Sequence, residues 1–252
     1  MGSTFTLGAI CATWLMSIGV FWPLAVLIGV ALGCVVGLLN AFIIQRLTVP
    51  PIITTLGTFY FVAGAVVLFT GGQDIQPLPA GFDAFGQGSV LHVPNLIIYG
   101  VIIGVIYHFV LQRSRFGFNV KAVGGGLNAA NANGISAKRT NLWIYLGAGG
   151  IAAVAGILFA SQTGSGQLGA GGASVTLTAT SAVLIGGTSL FGGVGSIGGT
   201  ALGALLFATI NNGLAIANVP ALYSSMIIGA ILVIAVALDA YRRRRSLLKF
   251  RS

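Results

Sequence analysis

Neutral polar side chains inside apolar segments are the residues of this sequence whose type and spacing could bind a solute. Hydroxyl and amide groups donate and accept hydrogen bonds without carrying charge, so they suit a neutral, hydroxyl-rich molecule. The candidate residues for a solute path are Asn40, Thr54, Thr55, Thr58, Gln162, Thr176, Thr178, Thr180 and Ser181. The alternative for each Ser or Thr taken alone is a hydrogen bond to its own helix backbone, which is common in membrane helices. This alternative is least convincing for the cluster at 176–181, where four such residues lie close together.

The sequence contains no pattern that predicts catalysis. It has three acidic residues in 252, and no Gly-rich loop ends in Lys-Ser or Lys-Thr, so we expect no ATP hydrolysis by this chain. His92 and His108 lack a partner pattern, and Cys11 and Cys34 lie in apolar runs that predict small buried side chains. We therefore expect no enzyme activity, no cofactor and no metal site.

Apolar runs near 20 residues long recur along the chain, and each is long enough to cross a bilayer core of about 30 Å. Hydrophobic residues make up 56% of the sequence and charged residues 6%. The predicted segments are 5–20, 23–45, 52–70, 94–112, 141–162, 175–190, 196–217 and 221–240. The sequence thus predicts an all-α, polytopic transmembrane helical bundle over residues 1–240, followed by a basic tail at 241–252.

The basic residues predict the orientation of this bundle. With eight crossings, all twelve Lys and Arg residues fall on one face: Arg46, the group between 113 and 139, and the tail. Asp74, Asp83 and His92 fall on the other face. Since cytoplasmic loops are rich in Lys and Arg, both termini and the 113–140 loop are predicted to be cytoplasmic. The same rule accounts for the net charge of +9 without a nucleic-acid partner.

Glycine, at 39 residues, is the second compositional signal. Gly29, Gly33 and Gly37 stand four residues apart, as do Gly195, Gly199 and Gly203, and such stripes let helices approach closely in lipid. They predict packing inside one bundle, with a subunit interface as the alternative. The stretch 163–174 is predicted to be an outer-face loop or the mouth of a cavity. The glycines at 186–193 indicate either a tight cytoplasmic turn or a broken helix beside a solute path.

The 113–140 loop contains a short segment of high helix propensity, 127–133, which Gly134 is expected to end. A small helix held by two membrane spans can dock a soluble partner and transmit its motion. The loop is therefore predicted to be a docking element.

Five segments resemble the permease subunits of bacterial ribose- and xylose-type ABC sugar importers, and the resemblance runs in order along nearly the whole chain. They are 49–58 (VPPIITTLGT), 122–135 (AVGGGLNAANANGI), 184–193 (LIGGTSLFGG), 198–204 (GGTALGA) and 211–214 (NNGL). The resemblance implies translocation of a monosaccharide, such as a pentose, across the bacterial inner membrane. Uptake of another small polyol or a sugar-like signal is the alternative.

The resemblance also implies partners. These are an ABC ATPase subunit on the cytoplasmic side, a periplasmic sugar-binding protein, a second permease subunit and the lipid bilayer. ATPase docking would fall on Asn128, Ala129, Ala130, Gly134 and Ile135.

The chain differs from the family pattern at its start. Family members have about ten spans, and residues 1–3 match a motif that follows the first of them, so about two spans are expected to be missing. A docking-loop Glu common in the family is replaced here by Leu127 or Asn128. A truncated, non-transporting membrane scaffold is therefore an alternative to an active permease.

Overall fold

The computed structural model describes residues 1–79, 81–189 and 192–220, together with positions 223, 226, 227, 229, 230, 233, 234 and 237. The helices are α1 (Gly2–Ser17), α2 (Trp22–Arg46), α3 (Pro51–Thr70), α4 (Phe82–Gln87), α5 (Asn95–Arg113), α6 (Arg115–Gly125), α7 (Leu127–Ala132), α8 (Ala137–Thr163), α9 (Ala173–Ile185) and α10 (Ile197–Ile216). A two-stranded hairpin is formed by β1 (Ser89–Val90) and β2 (Val93–Pro94). Most of the predicted eighth segment and the whole basic tail lie outside the described residues.

Within the described residues, five helices are long and apolar enough to cross a membrane, namely α2, α3, α5, α8 and α10. Each coincides with a predicted segment, and the 16-residue helix α1 coincides with the first. The prediction of an all-α, polytopic helical bundle is confirmed.

Helix α9 differs from the predicted segment 175–190. It has 13 residues, which at 1.5 Å per residue gives a length of about 20 Å, short of the bilayer core. The helix ends at Ile185 because Gly187 takes a φ of 84°, a left-handed conformation that glycine adopts without steric cost.

Local signals fix the other helix ends where the sequence suggests them. Pro51 opens α3, where its missing N–H is not needed, and Gly71 closes the same helix with a φ of 64°. Ser196 caps α10, since its Oγ accepts a hydrogen bond from the Gly199 N–H at 3.0 Å.

The chain divides into two compact units. Unit 1 consists of Met1–Ile102 and Lys138–Ala173, and unit 2 of Ile103–Ala137 and the described residues from Ser174 onward.

Backbone contact between helices holds unit 1 together. A Cβ on Gly37 would overlap the carbonyl oxygen of Tyr145, and a Cβ on Gly149 would overlap that of Gly33, so α2 and α8 touch without side chains between them. In the same way, Gly156 of α8 lies against the carbonyl oxygen of Phe5 in α1. The glycine stripe of α2 therefore serves packing within this chain, as the first of the two interpretations predicted.

A cluster of buried apolar side chains, which we call the apolar plug, fills one end of unit 1. Phe82 of α4 is fully buried in a cluster with Ala12 of α1, Ala25 of α2 and Ile157 of α8. The Ser161 hydroxyl donates to the Phe82 carbonyl at 2.6 Å and ties α4 to the end of α8.

The Gly-rich stretch after α8, predicted to be an outer-face loop or the mouth of a cavity, is irregular backbone that packs against α1. Gly166 lies against Thr13, and further along the Gly171 N–H donates to Thr6 Oγ1 at 3.1 Å, so the segment follows α1 toward its N-terminus. Its backbone also pairs with Ile75, and Asp74 Oδ1 accepts from the Leu168 N–H at 2.8 Å. Irregular backbone at membrane depth needs such burial in protein.

Unit 2 contains α6, α7 and the described residues of the 186–193 segment. Gly192 lies against the backbone of Gly124, near the end of α6. Because the described residues of this turn pack on α6, the tight-turn interpretation is favoured over a broken helix. Helices α9 and α10 meet through glycine, with Gly203 against the carbonyl oxygen of Ala182.

Candidate functional site

A small cavity of about 60 Å³, lined by both polar and apolar groups, lies in unit 1 among α1, α2, α3 and α8. Its lining residues are Met1, Ser3, Thr4, Gly37, Asn40, Thr55, Thr58, Tyr145, Ala148 and Gly149. Three of the residues predicted for a solute path, Asn40, Thr55 and Thr58, thus meet at one place although they come from two helices.

Asn40 and Thr58 form the central hydrogen bond of the cavity. Thr58 Oγ1 donates to Asn40 Oδ1 at 2.8 Å, and the Asn40 side chain is buried, with 9% of the residue exposed. Thr58 Oγ1 also lies 3.1 Å from the carbonyl oxygens of Thr54 and Thr55 in its own helix. The hydroxyl carries one proton, so these three acceptors compete for it.

The cavity lies near the end of α2 that carries Arg46 and near the start of α8, which carries Lys138 and Arg139. Asn40 stands six residues before Arg46 at the end of α2, about 9 Å along the helix axis. Tyr145 is in the first third of α8, and Gln45 Nε2 donates to the Lys138 carbonyl at 2.9 Å where the two helices converge. The apolar plug around Phe82 is at the other end of the unit, so a polar and an apolar layer share the bundle.

Thr54 and Thr55 have different surroundings. The Thr55 hydroxyl lines the cavity but donates to its own helix, to the Pro51 carbonyl at 2.8 Å. Thr54 is buried, and within the described residues its Oγ1 has no hydrogen-bond partner.

Gln162 does not line this cavity. It lies in the last turn of α8, at the end opposite Tyr145, with an exposed side chain. Its carbonyl accepts from Gln87 Nε2 at 3.2 Å, which joins α8 to α4.

The residues predicted on the sixth segment belong to α9 in unit 2. The Thr178 hydroxyl donates to the Ser174 carbonyl at 2.9 Å and the Thr180 hydroxyl to the Thr176 carbonyl at 2.7 Å, the backbone bonding expected of membrane helices. Ser181 is fully buried, and among the described residues nothing pairs with its Oγ.

The residues predicted for docking lie on α7 and the turn after it. Asn128 and Ala129 are exposed, whereas Ala130 is buried, with 3% of it exposed. Gly134 takes a φ of 75°, its N–H donates to the Asn131 carbonyl at 3.0 Å, and the Ile135 N–H donates to the Ala130 carbonyl at 3.0 Å. This is the Schellman arrangement, so Gly134 and Ile135 close the helix that presents the exposed residues.

Sequence reasoning missed part of the cavity wall. Ser3 and Thr4 are polar residues of α1 that lie just before the predicted first segment, 5–20, so the polar positions considered within the apolar segments did not include them. Tyr145 is not marked by its residue type either, because an aromatic residue in an apolar run is ordinary core composition. Its place follows from the close contact of α8 with Gly37.

The side chains that line this cavity offer hydrogen bonding without charge. They include hydroxyl and amide groups and none that is ionised at neutral pH, although Met1, which carries the α-amino group, also lines the cavity; burial lowers the pKa of that amine and so favours its neutral form. The described residues include no group of three or more His, Cys, Asp or Glu that could hold a metal ion. Such a wall suits a neutral solute, since burying a charge requires a compensating partner.

Comparison with known proteins gives concordant results. Residues 1–236 match the family described as the branched-chain amino acid transport system / permease component. The autoinducer 2 import system permease protein LsrD of Salmonella typhimurium (strain LT2) is 34% identical over 97% of this chain and 79% of its own length. LsrD of Escherichia coli O9:H4 (strain HS) is 36% identical over 93% of this chain and 73% of its own. No solved structure matches the chain.

The family match covers most of the sequence, and the membrane helices agree with it. The predicted resemblance to ABC sugar-importer permeases is confirmed, and the chain belongs to the branched-chain amino acid transport system / permease component family of transport permeases.

Proposed function

We propose that this chain is the translocation subunit of an ABC importer for autoinducer 2, driven by a separate ATPase in the bacterial inner membrane. The observation that carries the proposal is its similarity to LsrD permeases over nearly its whole length. Uptake of a sugar-like signal was the alternative to a pentose in the sequence analysis, and the relatives favour it.

The cavity supports a neutral solute. Asn40 and Thr58 offer uncharged hydrogen-bonding groups, and they line the cavity beside the close contact of α2 and α8 at Gly37 and Gly149. At about 60 Å³ the cavity holds a few water molecules, whereas ligand pockets measure about 300–1,000 Å³. It represents a closed stage of the path, which must widen for a solute to pass.

The source of energy follows from what the helices lack. Among the described residues, the five helices long enough to span a membrane contain no Asp or Glu, and proton-coupled carriers rely on a buried charged or titratable group to move their ion. The proposed ATPase would dock on α7 through Asn128 and Ala129, while a periplasmic binding protein and a second permease subunit complete the importer.

Uptake of autoinducer 2 tests the proposed function directly. Cells that lack their own importer, supplied with this chain, a second permease subunit, an ATPase and a binding protein, are expected to remove autoinducer 2 from the medium. Omission of this chain alone is the control. Uptake of D-ribose or D-xylose without autoinducer 2 would instead identify a pentose importer, and uptake of none of them would favour the non-transporting scaffold.

Thiol labelling tests the proposed orientation, with residues 113–140 cytoplasmic. In a background with Cys11 and Cys34 replaced by alanine, cysteine at Gln76 or Leu91 is expected to react with an impermeant maleimide added to intact cells. Both positions are exposed in the structure. Cysteine at Asn131 or Lys138 is expected to react only after the cells are permeabilised, because the basic loop stays inside. External labelling at Lys138 would contradict this orientation.

A further inference from the structure

We infer that Asn40 is the specificity-determining residue of the cavity, and that a solute hydroxyl replaces Thr58 as its hydrogen-bond partner during transport. The inference rests on the proposed function as a permease. It assigns the solute class as neutral molecules that carry hydroxyl groups.

The Asn40 carboxamide is only partly satisfied by the protein. Its Oδ1 accepts from Thr58 at 2.8 Å, but within the described part of the chain its Nδ2 makes no hydrogen bond. The side chain is more than nine-tenths buried and lines the cavity, so its two N–H donors are available to a molecule inside it. Hydroxyl oxygens accept such bonds, and a hydroxyl proton can take the place of Thr58 at Oδ1.

Thr58 can release Asn40 without losing its own hydrogen bond. The carbonyl oxygens of Thr54 and Thr55 both lie 3.1 Å from Thr58 Oγ1, so the proton can turn to its own helix when the solute arrives. An exchange in which every donor keeps an acceptor avoids the penalty of an unpaired buried group. The Asn40–Thr58 bond is therefore an exchangeable contact.

Helices α2 and α8 meet backbone to backbone at Gly33 and Gly149, so they are held together as a pair. The exchange of partners at Asn40 therefore requires α3, which carries Thr58, to move away from this pair. Such a displacement widens the cavity and breaks the Asn40–Thr58 bond in the same step.

The test breaks this one hydrogen bond from either side. Asn40→Leu removes the carboxamide with little change in volume, and Thr58→Val removes the hydroxyl with none. Thr70→Val is the matched control, because the Thr70 hydroxyl bonds only to carbonyls of its own helix, Val66 at 3.0 Å and Val67 at 3.4 Å. Each variant is assayed in the intact importer for autoinducer 2 uptake, ATP hydrolysis and thermal stability.

We expect Asn40→Leu to lower the amount of autoinducer 2 imported per ATP hydrolysed about tenfold, the effect of losing one or two hydrogen bonds. Thr58→Val is expected to keep or raise this ratio, since the carboxamide no longer has a competing partner. Thr70→Val should leave it unchanged, and all three variants should melt close to the wild type.

The possible outcomes separate this inference from the proposed function. If the wild type imports autoinducer 2 but Asn40→Leu does so equally well, Asn40 has no part in specificity and the proposed function stands. If both variants lose uptake and stability together, the bond is structural and the inference is wrong. If the wild-type importer moves no hydroxyl-bearing solute at all, both the proposed function and this inference are wrong.

Discussion

Replacement of Gly149 by leucine is expected to abolish accumulation of folded protein in the membrane. A Cβ at this position would overlap the backbone carbonyl of Gly33, so four added carbon atoms have nowhere to go unless α2 and α8 separate. Helix association in lipid depends on close packing, since water does not drive apolar surfaces together there. Overpacking of a core by side-chain atoms alone costs about 1–3 kcal/mol, and here the obstacle is backbone, which cannot choose another rotamer.

Gly100→Leu is the matched control for this prediction. Gly100 is in the interior of α5, and nothing among the described residues lies within 4 Å of a Cβ placed there. The exchange removes a residue of low helix propensity, which is worth about 0.5–1 kcal/mol in favour of the helix. Membrane yield and thermal stability of Gly100→Leu should match the wild type. A Gly149→Leu protein that accumulates and melts as the wild type does would show that the α2–α8 contact is not required for folding.

The contrast between these two glycines marks what the sequence could not predict. Periodicity identified the stripe of Gly29, Gly33 and Gly37 as a packing face, because glycines four residues apart share one side of a helix. It did not identify the partner helix, which is α8, about a hundred residues further along the chain. The spans themselves were predictable, since a bilayer demands long apolar helices whatever their tertiary contacts.

The sequence predicted which residue types form the candidate site, but it did not predict which of those residues lie together in the fold. Asn40 and Thr58 stood out as polar residues in apolar runs. Their hydrogen bond joins two helices, so the spacing of residues within either helix does not predict it. Thr178 and Thr180 carry the same signal, yet their hydroxyls bond to their own helix. Residue type is identical in the two cases, and only the neighbouring helix decides between them.

The Gly-rich stretch after α8 shows a related limit. Its composition correctly indicates irregular backbone, because glycine and serine weaken helix formation. Composition does not reveal that Thr6 and Asp74 supply hydrogen bonds to that backbone, one from a helix and one from a loop distant in sequence. Those contacts hold the segment against the protein and bury Gly166 and Gly171 within it.

The docking proposal for α7 gives the second large effect, and the structure sharpens how it is tested. Ala129 is exposed on a six-residue helix whose end is fixed by Gly134, so a partner surface can approach closely at this point. Ala129→Arg is expected to reduce co-purification of the ATPase and to abolish ATP-driven uptake, because a long, strongly hydrated side chain would hold the two surfaces apart. Membrane insertion and thermal stability should remain at the wild-type level. Ala129→Ser keeps the side chain small and should retain uptake.

Ala130 supplies the contrast that separates docking from folding. Its side chain is buried within unit 2, so Ala130→Arg places a charge where none is compensated and should lower membrane yield before any partner is involved. If α7 is the docking element, Ala129→Arg and Ala130→Arg must therefore fail at different stages, the first as a stable protein without its ATPase and the second as an unstable one. If Ala129→Arg still binds the ATPase and imports solute, the partner docks elsewhere. Leu127, with 56% of its surface exposed at the start of the same helix, would then need another explanation, since a large apolar side chain on the basic loop is otherwise uncovered in this chain.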